Sequence, residues 1–380
     1  MELFPLAFLT AAALAWVLNE LELISYRRAE DAHWTERARR LLPARVSRQQ
    51  NIWAVPVLVT LLGQLFYPEV SWIPVAVLGF LGTLAGNYPM DRATNTDLGF
   101  REWLHMVLGS WLLQLSGWTA YVVAALLMPA RMEWTVWLVA VVFAAVVFGL
   151  LYGAGLRLAR WIRLLHPASA RLQALVDETS VAMNVPVRAT WEMIRADAGA
   201  LAFVTTRELI FSRRLLAACS DDEIKAVCAH ELGHLSESRW ILIRRVLGSF
   251  VFAPLIFIRP AWGEWQEAGA AGLALIVVMA WIANVRLMRS MEKRADQVAH
   301  ENTEKPAVYA RALERIYQLS LLPSVQPKSK FQSHPDLYDR MVAAGVTPDY
   351  PRPKAPSTSG WTSVVTIMAC VIIGMELFVY

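Results

Sequence analysis

The chain has 380 residues, 56% of them hydrophobic and only 18% charged. Soluble domains keep about a quarter of their residues charged, so this composition excludes a disordered chain, a collagen and a small disulfide scaffold, and it places much of the chain in lipid. A net charge of +4 is too small to argue for nucleic acid, and Cys219, Cys228 and Cys370 have neither disulfide-framework nor thiolate-metal spacing, which suits a reducing compartment.

Taken in chain order, the apolar stretches predict about eight membrane-spanning helices, each needing about 20 apolar residues. Segment 3–19 comes first; Glu2 precedes it and no basic region does, so it is expected to stay as an anchor. Segments 52–66 and 72–85 form a short pair, with a re-entrant hairpin as the alternative. Segments 103–128 and 134–156 carry no Asp, Glu, Lys or Arg. Segments 246–258 and 268–285 form a second pair, and 361–380 closes the chain. Tryptophans at span ends (Trp53, Trp72, Trp103, Trp134, Trp161, Trp361) read as an aromatic belt.

Charge tests this threading. With the loop 20–51 inside, the outer loops 67–71, 129–133 and 259–267 hold only Arg131 and Arg259 of the 36 Lys and Arg. The other 34 lie on the inner side or at its edge, which is the positive-inside asymmetry. The expected organisation is an N-terminal membrane region (1–156), a polar region facing the cytoplasm (157–245), a membrane hairpin (246–285), a second cytoplasmic region (286–360) and a last span (361–380). The fold class is mainly α: a polytopic membrane protein with a small α+β domain at the cytoplasmic face, expected in a bacterial inner membrane.

Within the first polar region, 166–185 reads as an amphipathic helix with Leu172, Leu175, Val176 and Val181 on its inner face. Segments 187–193, 199–205 and 208–211 have strand character. Ser220 with Glu223 three residues on is a capping box, and Asp221 and Asp222 suit the first turn of the helix that follows. That helix carries His230-Glu231-Leu232-Gly233-His234. Residues i and i+4 share a face, so both imidazoles can bind one zinc ion while Glu231 reaches a water on the open position. Two surface histidines beside a solvated Glu are the competing reading.

A catalytic zinc needs a third protein ligand. Directly after the seventh span, Glu292 and Asp296 again stand i and i+4 on a helix. Glu292 can be that ligand, and Asp296 can accept a hydrogen bond from the far nitrogen of a ligand histidine. Further on, His334 and Arg340 are donors suited to a developing oxyanion, although the same stretch reads equally as a loop with a surface Arg. His33 and His300 are expected to be solvated, and His105 and His166 to lie at the interface.

The ordered set (His230, Glu231 and His234, two spans, Glu292 and Asp296, then His334-Pro335 and Arg340) resembles the integral-membrane zinc metallopeptidases of the HtpX and CAAX prenyl endopeptidase family, the gluzincins. The resemblance covers roughly 170–345. Five spans ahead of the zinc helix are more like the CAAX branch. It implies one Zn2+ held by His230, His234 and Glu292, a general base at Glu231, and transition-state roles for His334 and Arg340. Family members usually pair substrate with an edge strand carrying Asn-Ala; here the equivalent is Gly199-Ala200-Leu201-Ala202-Phe203, which lacks the Asn. The expected activity is a membrane-embedded zinc endopeptidase acting on membrane or membrane-associated chains, with peptide adding beside Ala200, Leu201 and Ala202. The rival is a non-catalytic zinc-containing scaffold or peptide-binding protein. A transporter would show charged or broken spans, and 103–128 and 134–156 are expected to show neither.

Overall fold

The computed structural model describes residues 3–95, 98–195, 197–303, 306–327 and 336–356. The chain is mostly helical. Three helices open it: α1 (Leu3–Arg27), α2 (Trp34–Phe66) and α3 (Trp72–Thr94). They pack as a bundle with α1 and α3 parallel, and Gly82 and Gly86 of α3 lie against the backbone of Phe8 and Ala12. Only glycine permits that approach, the usual device where lipid gives helices no hydrophobic reason to associate. Polar pairs tie the bundle inside: Asn19 Nδ2 donates to Asn87 Oδ1 at 2.7 Å, and Asp91 accepts from Arg48 at 2.8 Å and from Trp103 Nε1 at 2.9 Å.

Next come α4 (Phe100–Ser110), a π-helical turn (Trp111–Leu115), α5 (Ser116–Leu127), α6 (Trp134–Leu151) and α7 (Ala154–Trp161). The catalytic-motif region holds β1 (Leu165–Pro167), α8 (Ala170–Ala182), β2 (Ala189–Met193), β3 (Ala200–Phe203), β4 (Glu208–Ser212), α9 (Arg213–Ala218) and α10 (Asp221–Leu235). The sheet has the order β1-β2-β4-β3; β2 and β4 are parallel and the other pairs antiparallel, with Leu201 opposite Ile210. Its core joins Leu172, Leu175 and Val176 of α8 to Leu209 and Phe211 of β4 and to Ile224, Val227 and Leu232 of α10. After α10 follow α11 (Arg239–Gly248), a 3-10 turn (Ala253–Phe257), α12 (Ile258–Glu301), α13 (Pro306–Leu319) and α14 (Leu337–Ala343).

Five segments among the described residues are long and apolar enough to cross a membrane: Phe4–Arg27, Trp72–Thr94, Phe100–Leu127, Trp134–Leu151 and Arg239–Glu301. Segment 52–66 is not one of them. It is the end of a longer helix, and its apolar stretch rises only about 22 Å, short of a hydrocarbon core of about 30 Å. The expected loop 20–51 is helical almost throughout, apart from the turn between α1 and α2. The expected span 246–258 is not one helix: α11 stops at Gly248, and Pro254 opens a 3-10 turn. Segment 268–285 belongs to a helix that breaks at Gln266 (φ 48°) and then runs on to Glu301. The span expected at 134–156 stops at Leu151, where Gly153 takes a left-handed conformation (φ 88°). The expected span at 103–128 lies within the single apolar helical segment Phe100–Leu127, which includes a π-helical turn at Trp111–Leu115. Trp103 is buried as an Asp91 partner and is no belt residue. The last span, 361–380, lies outside the described residues.

The soluble-region expectations also shift. β1 occupies the start of the expected helix at 166, because Pro167 disfavours helical backbone just before it. The helix instead begins after Ser169, whose hydroxyl accepts from Leu172 N–H. Val181 points out at 80% exposure, and Thr179 takes the inner position by bonding the Leu175 carbonyl at 2.7 Å. The first two strands are shorter than expected, the second because 204–207 form the turn between β3 and β4, and the third runs one residue further, to Ser212.

Candidate metal centre

The centre starts from α10. Ser220 Oγ accepts from Glu223 N–H and Glu223 Oε2 accepts from Ser220 N–H at 2.8 Å, so the capping box is complete. Arg171 of α8 grips the start of the same helix through Asp221, Leu216 O and Cys219 O. The helix is therefore fixed at its N-terminus and along its apolar face, and its last turns carry His230, Glu231 and His234.

Gly233 sets the distance to α12. A Cβ there would stand 3.1 Å from Ala295 Cα and 3.3 Å from Val298 Cβ. The two helices thus nearly touch, and one turn before Ala295 the Glu292 carboxylate meets both imidazoles. Its oxygens lie 3.7 Å from His230 Nε2 and 3.8 Å from His234 Nε2. Donor atoms of His230, His234 and Glu292 all fall within 4.8 Å of one another. Ligands about 2.1 Å from one tetrahedral ion stand roughly 3.4 Å apart. Two imidazoles and a carboxylate at these separations fit a divalent metal with an open position.

Each histidine's other nitrogen is held from behind. His230 Nδ1 lies 2.8 Å from Tyr309 Oη and 3.2 Å from Asp296 Oδ1, and Tyr309 donates to the same Asp296 oxygen at 2.7 Å. Arg340 donates to Asp296 Oδ1 at 2.5 Å and lies 3.2 Å from Tyr309 Oη. Burial pushes the Tyr309 hydroxyl well up, so it remains a donor. His234 Nδ1 lies 3.2 Å from Glu237 Oε1, which Arg245 also contacts at 2.9 Å. With both Nδ1 atoms facing carboxylates, both Nε2 atoms are turned toward Glu292.

Glu231, next to His230, is buried at 8% exposure. Asp296 takes the place its spacing suggests, behind a ligand-type histidine. Arg340 is brought to the centre, but its guanidinium meets Asp296 and Tyr309. His334 lies outside the described residues. Ala200, Leu201 and Ala202 belong to β3, an edge strand paired on one side with β4 and in contact with α10. His300 is not simply solvated: its ring stands edge-on to Tyr309 at 5.1 Å. His33 caps α2 and packs against Tyr350. Tyr309, Glu237 and Arg245 went unread in the sequence. Glu237 had a usable signal, three residues beyond His234 and so within side-chain reach; a lone Tyr on an amphipathic helix has none.

Residues 167–345 match the model of peptidase family M48. A protease HtpX homologue of Thermococcus sibiricus is 30% identical over 146 residues, covering 32% of this chain and 49% of that one. A protease HtpX homologue of Syntrophobacter fumaroxidans is 26% identical over 185 residues, covering 43% and 64%, and the protease HtpX of Hahella chejuensis is 28% identical over 163 residues, covering 35% and 55%. The chain thus spans between about half and just under two thirds of the length of these curated relatives. The relatives carry the HtpX name and lend no support to the CAAX branch. Over residues 167–345 the chain is therefore similar to peptidase family M48, and over parts of their length to proteases named HtpX.

Proposed function

We propose that the protein is a membrane-embedded zinc endopeptidase that hydrolyses peptide bonds of membrane or membrane-associated chains at the cytoplasmic face of a bacterial inner membrane. The observation that carries this reading is the convergence of His230, His234 and Glu292 within 4.8 Å, with Glu231 beside them on α10. Zinc bound there would supply Lewis acidity toward the scissile carbonyl and lower the pKa of a water. Glu231 takes the proton of the attacking water and returns it to the leaving amine. Asp296 and Glu237 keep the protons of His230 and His234 on Nδ1 and their Nε2 lone pairs free. The open side of β3 offers backbone donors and acceptors to an extended peptide at Ala200, Leu201 and Ala202. His334 and Arg340 are assigned to the developing negative charge on the strength of the motif order.

A non-catalytic zinc scaffold has no use for the buried Glu231. Glu231→Gln keeps shape and removes the base, so it is expected to retain zinc and lose hydrolysis of a membrane substrate. Comparing membrane proteomes of cells carrying wild type or Glu231→Gln supplies the substrate. Near-wild-type cleavage by the variant, or zinc content unchanged by His230→Ala with His234→Ala, would overturn the reading.

A further inference from the structure

The turn that follows α10 carries a carboxylate that no motif assigns. Glu237 sits beyond the helix cap, yet its side chain is only 1% exposed. A buried carboxylate requires a cation or several donors. Arg245 supplies the cation: its Nη2 stands 2.9 Å and 3.1 Å from the two Glu237 oxygens. The carboxylate in turn lies 3.2 Å from His234 Nδ1. Arg245 Nη2 is itself 3.4 Å from that nitrogen. With the proton on Nδ1 this is an approach of two donors, and Glu237 is the acceptor both of them need.

Arg245 belongs to α11, the first arm of the membrane-crossing segment Arg239–Glu301. The other arm grips the same turn, because Arg294 of α12 donates to Ser236 O at 3.2 Å. Both arms of the hairpin therefore end on residues 236–237, next to His234. We infer that Glu237 is a positioning residue for His234, that Arg245 holds it in place, and that the pair ties the membrane hairpin to the metal centre. The inference rests on the metal-centre reading given above. His230 is held by Asp296 of α12 together with Tyr309 of α13 and Arg340 of α14, whereas His234 is held through Glu237 by Arg245 of α11, so the two ligand histidines answer to different sets of elements.

The test uses the full-length protein in nanodiscs. Zinc affinity is measured by competition with a chelating dye, and the cobalt-loaded protein gives a visible d–d spectrum that reports ligand geometry. Glu237→Gln is expected to weaken zinc binding about 10–100-fold, the range for loss of a carboxylate behind a ligand histidine, and to change the cobalt spectrum. Arg245→Ala is expected to act in the same direction, and Arg245→Lys to recover part of the loss. Glu237→Gln with Arg245→Ala is expected to bind zinc no more weakly than Glu237→Gln alone, since the two act as one unit. Wild-type affinity and spectrum in Glu237→Gln overturns the inference, as does full additivity in the double variant. Wild-type protein whose zinc depends on His230 and His234 while Glu237→Gln changes nothing overturns this inference alone; wild-type protein that binds no zinc overturns both readings.

Discussion

His230 shows how much of the centre lies behind its ligands. Its Nδ1 faces a carboxylate and a phenol that also hold each other, and Arg340 closes the group from the far side. Asp296→Ala is expected to weaken zinc binding about 10–100-fold, because it removes the acceptor that fixes the tautomer. Tyr309→Phe leaves that acceptor and is expected to cost less, measured in the same dye competition. Arg340→Ala separates two roles. A donor that acts only on the developing charge lowers kcat and leaves metal affinity alone. The 2.5 Å contact with Asp296 predicts instead that Arg340→Ala lowers both, and an unchanged zinc affinity would return Arg340 to the transition-state role alone.

At the scale of elements, α10 is positioned by its cap and by its crossing with α12. Ser220→Ala removes the acceptor for Glu223 N–H and is expected to cost about 0.5–2 kcal/mol by denaturant unfolding, with little effect on zinc affinity in the folded protein. Gly233→Val acts differently. Its side chain would have to displace Ala295 backbone, and α12 carries Glu292 with it. Overpacking of this kind costs about 1–3 kcal/mol, and zinc affinity is expected to fall along with stability. Gly233→Ala is expected to fall between Gly233→Val and wild type. A Gly233→Val protein with wild-type zinc affinity would show that the crossing has room to give. Sequence spacing placed both imidazoles on one face of α10, but the reason for glycine between them becomes visible only when α12 is in view.

At the scale of the molecule, the hairpin of Arg239–Glu301 connects two ends. At one end, Met132 N–H donates to Glu264 at 3.2 Å, and Gly263 lies against the Ala130 carbonyl, so the loop 129–133 touches 259–267, which was expected to be a loop and is the first part of α12. At the other end stand Glu292, Asp296 and the α10 histidines. The positive-inside asymmetry predicts that the first end lies outside. Cysteine labelling is expected to reach 129–133 and 259–267 from outside and 157–238 from the cytoplasm. A reporter after residue 200 that reads out as extracytoplasmic would contradict the 34-to-2 division of Lys and Arg.

The sequence alone determined the motif helix, its capping box and the pairing of Glu292 with Asp296. Each depends on local periodicity, and i, i+3 and i+4 neighbours share a helix face whatever the rest of the chain does. It also pointed to helices long and apolar enough to cross a membrane, because apolar length is a local property. Helix ends were less legible: the span from Trp134 stops at Leu151 ahead of Gly153, 246–258 is divided between α11 and a 3-10 turn at Pro254, and 52–66 is the end of the longer helix α2. Only the tertiary structure brought Tyr309, Glu237, Arg245 and Arg340 to the two histidines. Three of these four come from outside α10 and its adjoining turn, and a contact between residues distant in sequence is fixed by how helices pack, which no local pattern records.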